Sequence, residues 1–208
     1  DHLLKGYTLN AARLEHRGIT DLQSAIALLG DTLASHSLVT DEGRAILDIV
    51  RGYARSWNLL LAYDDGTLPQ PAAHGKPKTI STAEARAAIS ALKRDLLDKG
   101  EATDLFAQER GDQFDAIITG LAQEVFGTTL YPTVESRAAH LLYFVIKDHP
   151  FSDGNKRVGS FLFINYLAAH NLHRNVSDTA LVALALLTAQ SDPKQKDLVI
   201  RLIMNLIG

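Results

Sequence analysis

Apolar residues recur along this chain at intervals of three and four, the spacing that gives a helix one oily face. Leu22, Ile26 and Leu29 share a stripe, and with the break at Gly18-Ile19-Thr20 they predict a helix from about Asp21 to His36. Ile46, Ile49, Val50, Tyr53 and Trp57 form a second apolar face, with Thr40 as its N-cap; that helix runs to about Tyr63 and stops at Asp64-Asp65-Gly66. Ser81-Thr82-Ala83-Glu84 has the form of a capping box, in which each side chain bonds the other's backbone amide. It opens a helix to about Lys99, closed by Gly100. Further helices are expected over Gln113–Val125, from the cap Thr133 to Lys147, and from about Lys156 to His170. Two more follow, from Ser177-Asp178 to about Gln190 and from Asp192-Pro193 to Ile207, the last with proline in its first turn.

Strict alternation of Val, Ile and Thr is scarce, and Gly and Pro fall between the periodic segments, so the fold class is all-α. Thr67–Ile80 holds three of the six prolines and Gly75, and reads as a linker. The expected organisation is an N-terminal helical region at 1–66, a linker at 67–80 and a helical domain at 81–208. Gly100–Asp112 is the one loop long enough to serve as a lid or a short β-hairpin.

Composition narrows the classes. The chain has 208 residues, is 46% hydrophobic, and carries a net charge of −3 without long runs of one sign. That argues against a basic nucleic-acid groove. It has no cysteine, which removes disulfides, thiolate zinc sites and thiol nucleophiles. No apolar run approaches the roughly 18 residues that span a bilayer, so a cytoplasmic location is the default expectation. The chain starts at Asp1 and its only methionine is Met204, so it reads as a piece of a longer protein. His170 and His173 lie three apart with no third ligand nearby, and read as loop histidines.

One short segment resists a purely structural reading. Between two apolar helices stands His149-Pro150-Phe151-Ser152-Asp153-Gly154-Asn155-Lys156-Arg157. A helix–helix turn needs a cap and a glycine, not this set. The segment runs into a helix N-terminus, where free amides and the helix dipole favour an anion. Gly154 permits close backbone approach. Asp153 is a hard oxygen ligand suited to Mg²⁺ beside phosphates. Arg157 offers a fork for phosphate oxygens and Lys156 a point charge. His149 can take a proton near neutral pH.

The segment resembles the motif of the Fic/Doc family, His-x-Phe-x-Asp/Glu-Gly-Asn-Gly-Arg-x-x-Arg. His149, Phe151, Asp153, Gly154, Asn155 and Arg157 match in register; Lys156 replaces the second glycine and Ser160 the second arginine. The flanking sequence, from Tyr131-Pro132 to Phe161-Leu162-Phe163, looks like the C-terminal Fic/Doc-like domain of RhuM-type virulence-associated proteins. The likeness covers about Thr103–Gly208. The opening Asp1–Arg13 looks like the tail of a preceding domain in that group. The resemblance implies a Fic-like helical bundle with its active-site loop between two core helices. It implies transfer of a phosphate-containing group from ATP, with Mg²⁺, to a Ser, Thr or Tyr hydroxyl of a protein. His149 would be the general base and Asp153 the Mg²⁺ ligand. Gly154, Asn155, Lys156 and Arg157 would hold the phosphates and the loop, and Phe151 would be a core anchor. A flap presenting the target is expected at Leu105, Phe106, Gln108, Glu109 and Arg110.

Most Fic enzymes transfer AMP, whereas the Doc toxin branch carries Lys at the Lys156 position, lacks the second arginine and transfers the γ-phosphate. Both departures favour Doc-like phosphotransfer; AMP transfer and a non-catalytic module that binds nucleotide or a partner stay open as alternatives. The family's inhibitory Ser/Thr-x-x-x-Glu-Gly/Asn helix has no match in register, since Leu38 stands four residues before Glu42-Gly43. Restraint is therefore expected from an antitoxin or another domain. The resemblance also brings the expectations of a toxin, of a bacterial cytoplasmic protein or an effector delivered to another cell, and of oligomers.

Overall fold

The computed structural model describes residues 62–208, together with Leu59. The helix expected over 21–36, and nearly all of that expected over 40–63, lie outside the described residues. Residues 62–64 are helical and are followed by a turn at Asp65-Gly66. One compact unit runs from Asp65 to Gly208.

This unit is built of helices α1 (Thr82–Asp98), α2 (Gln113–Leu121), α3 (Val134–Lys147), α4 (Asn155–Ala168), α5 (Asp178–Gln190) and α6 (Lys196–Ile207). Local chemistry starts most of them. The Ser81 side chain accepts from the Glu84 amide and Glu84 answers, completing the capping box of α1. Thr133 accepts from the Ser136 amide at α3, and Ser177 from the Ala180 amide at α5. Asp192-Pro193 begins a short 3-10 turn, Pro193–Gln195, from which α6 continues.

One expected element is shorter. Helix α2 ends at Leu121, and the residues assigned to its last turn form a hairpin of β1 (Glu124–Val125) and β2 (Thr128–Thr129). Phe126 and Gly127 make the connection with φ of 51° and 75°. A two-residue hairpin turn of this hand needs positive φ at both positions, and β-branched residues on either side favour strand over helix. The short hairpin expected at 100–112 is absent; that segment is irregular there.

Helix α3 is the centre of the unit. Val134, Ala138, Ala139, Leu141, Leu142, Val145 and Ile146 are all buried, because other helices cover it on several sides. Helix α4 crosses it closely, and a Cβ on Gly159 would come within 3.1 Å of Ile146 Cγ1. The Pro-rich segment 67–80 is extended but is not a free tether. Leu68 is buried, the Asn205 amide donates to the Pro69 carbonyl, and the His74 amide donates to both Glu135 oxygens at 3.0 and 3.2 Å. The His74 ring meets Glu135 as well, and Tyr166 and Arg137 both donate to the Lys78 carbonyl. Glu135 is fully buried, so these donors are what makes its burial tolerable. Burial also holds the Tyr166 phenol neutral, with a pKa pushed up to about 12, against a smaller opposing effect of Arg137.

Candidate active site

The end of α3 and the start of α4 are joined by the loop 148–154, which holds His149, Asp153 and Gly154, while Asn155, Lys156 and Arg157 open α4. Three devices fix its shape. Asn155 clamps it: the Phe151 amide donates to Asn155 Oδ1 at 2.9 Å, and Asn155 Nδ2 donates to the Phe151 carbonyl at 2.8 Å. Phe151 anchors it, fully buried with its ring 5.0 Å from that of Phe114 on α2. The segment 106–110 laces it from one side: the Ala107 amide donates to the Asp153 carbonyl, Ser152 to Gln108, and Arg110 to Pro150, at 2.8–3.0 Å.

On this frame the polar side chains face solvent. His149 is exposed and takes a positive φ of 50°, an uncommon conformation outside glycine. Among the described residues none hydrogen-bonds its ring. Its neighbour Asp148 is raised above the usual carboxylate range by partial burial, opposed by the charges of Lys196 and His149. Asp153 is half exposed; its Oδ1 accepts from the Gly154 amide at 2.6 Å, and its Oδ2 lies 3.7 Å from Arg157 Nη2. Lys156 and Arg157 are exposed on the first turn of α4, which carries no acidic residue and no side-chain cap. Cations there oppose the helix dipole, an arrangement that an anion at the same place would reverse. Ser160 follows Lys156 by one turn on the same stripe.

Gly154 is required twice over. Its φ is +82°, and a Cβ would lie 2.3 Å from Cε2 of Phe106. Of the residues expected to form a target-binding flap, Leu105, Gln108 and Arg110 are exposed. Glu109 is held by Arg86 of α1 through two hydrogen bonds of 2.8 and 2.9 Å. Phe106 is fully buried and cannot meet a target; it packs beneath the loop. The sequence also gave no sign that Arg157 Nη1 donates to the Glu101 carbonyl at 2.8 Å, because that acceptor is backbone 56 residues away.

A loop between two core helices thus presents a base, a carboxylate and two cations around an uncapped helix N-terminus. Such a layout can hold an anion beside a proton acceptor. Residues 80–167 match the model of the Fic/DOC family and form a Fic/Doc family domain, whose members generally transfer groups to proteins. No curated protein and no solved structure matches the chain.

Proposed function

We propose that this domain transfers a phosphate-containing group from ATP to a Ser, Thr or Tyr hydroxyl of another protein, with γ-phosphate transfer favoured over AMP transfer. The observation that carries this reading is the join of α3 and α4: an exposed His149 ring, without a hydrogen-bond partner among the described residues, on one side, and the Gly154–Arg157 terminus with the exposed cations Lys156 and Arg157 on the other.

In this reading the triphosphate lies against the first turn of α4. Arg157 and the loop amides hold the transferred phosphoryl group and take up the charge it gains. His149 accepts the proton of the target hydroxyl as that oxygen attacks phosphorus, and the bond to the leaving ADP breaks. For AMP transfer the same base serves, with attack at the α-phosphorus and pyrophosphate leaving. Lys156 fills space that a glycine would leave open, and Ser160 supplies no charge one turn further on. Both features favour a triphosphate whose terminal phosphate lies nearest His149.

Among the described residues no three His, Asp or Glu side chains converge on a metal-sized site. A lone exposed carboxylate fits Mg²⁺, which is commonly held by one or two carboxylates plus substrate phosphates and water. Asp153 would hold it and would then leave the Gly154 amide free for phosphate. Mg²⁺ bound there neutralises phosphate charge during transfer. A partner protein or a regulatory domain supplies the restraint.

Incubation of the protein with labelled ATP, Mg²⁺ and a cell lysate tests the reading. Label should enter protein, and His149→Ala should lower its rate by at least about 100-fold. Label entering equally with His149→Ala, or no label at all, contradicts it.

A further inference from the structure

Phe106 is a fully buried aromatic side chain that touches two members of the candidate site from below. Its ring edge lies where a Cβ on Gly154 would stand, at 2.3 and 2.4 Å from Cε2 and Cδ2. Its face lies 4.6 Å from Cζ of Arg157. Arg157 is otherwise held by the Glu101 carbonyl and, at 3.7 Å, by Asp153. Both of those acceptors belong to groups that nucleotide binding would disturb or leave aside. Asp153 has to turn toward a metal, and one carbonyl fixes one nitrogen of a guanidinium without fixing its plane. The aromatic face meets the central carbon of the guanidinium, where the other two contacts each reach a single nitrogen.

We propose that Phe106 is a positioning residue for phosphate binding, a platform that fixes the plane of Arg157 and keeps position 154 free of a side chain. The proposal rests on the function argued above. Its physical basis is twofold. An aromatic face attracts a guanidinium, more strongly when the pair is shielded from water, and the Phe106 ring is fully buried. A fork held in one plane also loses less freedom when it closes on phosphate oxygens. The backbone bonds from Ala107 and Gln108 to the loop carry the platform, so it moves with the loop as one body.

The test compares binding of ATP with Mg²⁺ by the whole chain and by Phe106→Leu, which keeps an apolar side chain of similar bulk and removes the aromatic face. Phe106→Met serves as a second, more adaptable replacement if the leucine variant does not fold. Binding should weaken about three- to tenfold while the melting transition remains cooperative. The same change in an Arg157→Ala background should have almost no further effect on binding, because the platform then has nothing to orient. Equal weakening in both backgrounds would make Phe106 plain packing and overturn the proposal, as would unchanged affinity in either replacement. Wild-type protein that fails to bind ATP overturns the assigned function and the platform with it. Wild-type binding with an additive Phe106 effect overturns the platform alone.

Discussion

Asn155→Ala removes both arms of the clamp on the candidate loop. The Phe151 amide loses its acceptor at 2.9 Å and the Phe151 carbonyl its donor at 2.8 Å. A typical hydrogen bond contributes about 1 kcal/mol net, and a buried backbone group left unpaired costs about 1–3 kcal/mol. Phe151 is 1% exposed, so water reaches its backbone poorly. The expected loss is about 2–4 kcal/mol, because the loop can relax enough to recover one bond. In a unit of this size that lowers Tm by about 5–15 °C. Asn155→Asp separates the two arms. It keeps the acceptor for the Phe151 amide but sets a carboxylate oxygen against the Phe151 carbonyl. Its charge in the first turn of α4 returns about 0.3–1 kcal/mol. Thermal denaturation should rank wild type above Asp and Asp at or above Ala. A Tm for Asn155→Ala within a degree or two of wild type would refute the clamp.

Gly154→Ala should destabilise the unit by about 2–4 kcal/mol, from left-handed strain and the overlap with Phe106, and should weaken ATP binding; calorimetry of each checks this. Glu135→Ala should cost about 1–3 kcal/mol, because it frees the His74 contacts of the extended segment 67–80; limited proteolysis should then cut within that segment, and an uncut segment would contradict the fastening. His140 gives a pH signature. Burial lowers its pKa, partly offset by its hydrogen bond to the Ser136 carbonyl, so the folded state binds its proton less readily than the unfolded chain. Its contribution is therefore present above about pH 6.5 and is lost as the pH falls through the lower folded value. The drop in Tm between pH 7 and pH 5 should be smaller in His140→Gln than in wild type.

What the sequence made legible was local chemistry. Ser81 with Glu84, Thr133, Ser177 and Asp192 announce helix starts within three residues of themselves, and the helices begin there. The motif was legible for the same reason: nine consecutive residues carry the loop's own clamp, Asn155 on Phe151. The hairpin at 124–129 was not, because a helical apolar stripe and a strand share residues such as Val125 and Phe126 until the turn at Gly127 is weighed. Phe106 was misplaced as a flap contact for a tertiary reason. Nothing within its own segment says that α4 will bring Gly154 and Arg157 over its ring. The fastening of segment 67–80 was equally hidden, since His74 and Glu135 stand 61 residues apart and look like unrelated surface groups.

The proposed reaction depends on which phosphorus is attacked, and in that proposal Lys156 makes the choice. ATP labelled at the γ-phosphate and ATP labelled at the α-phosphate should be given separately to the same protein, Mg²⁺ and lysate. Phosphotransfer puts label in protein from γ-labelled ATP and little from α-labelled ATP, with Lys156→Gly moving the ratio toward the α-label. Label from α-labelled ATP alone, unchanged in Lys156→Gly, would contradict it.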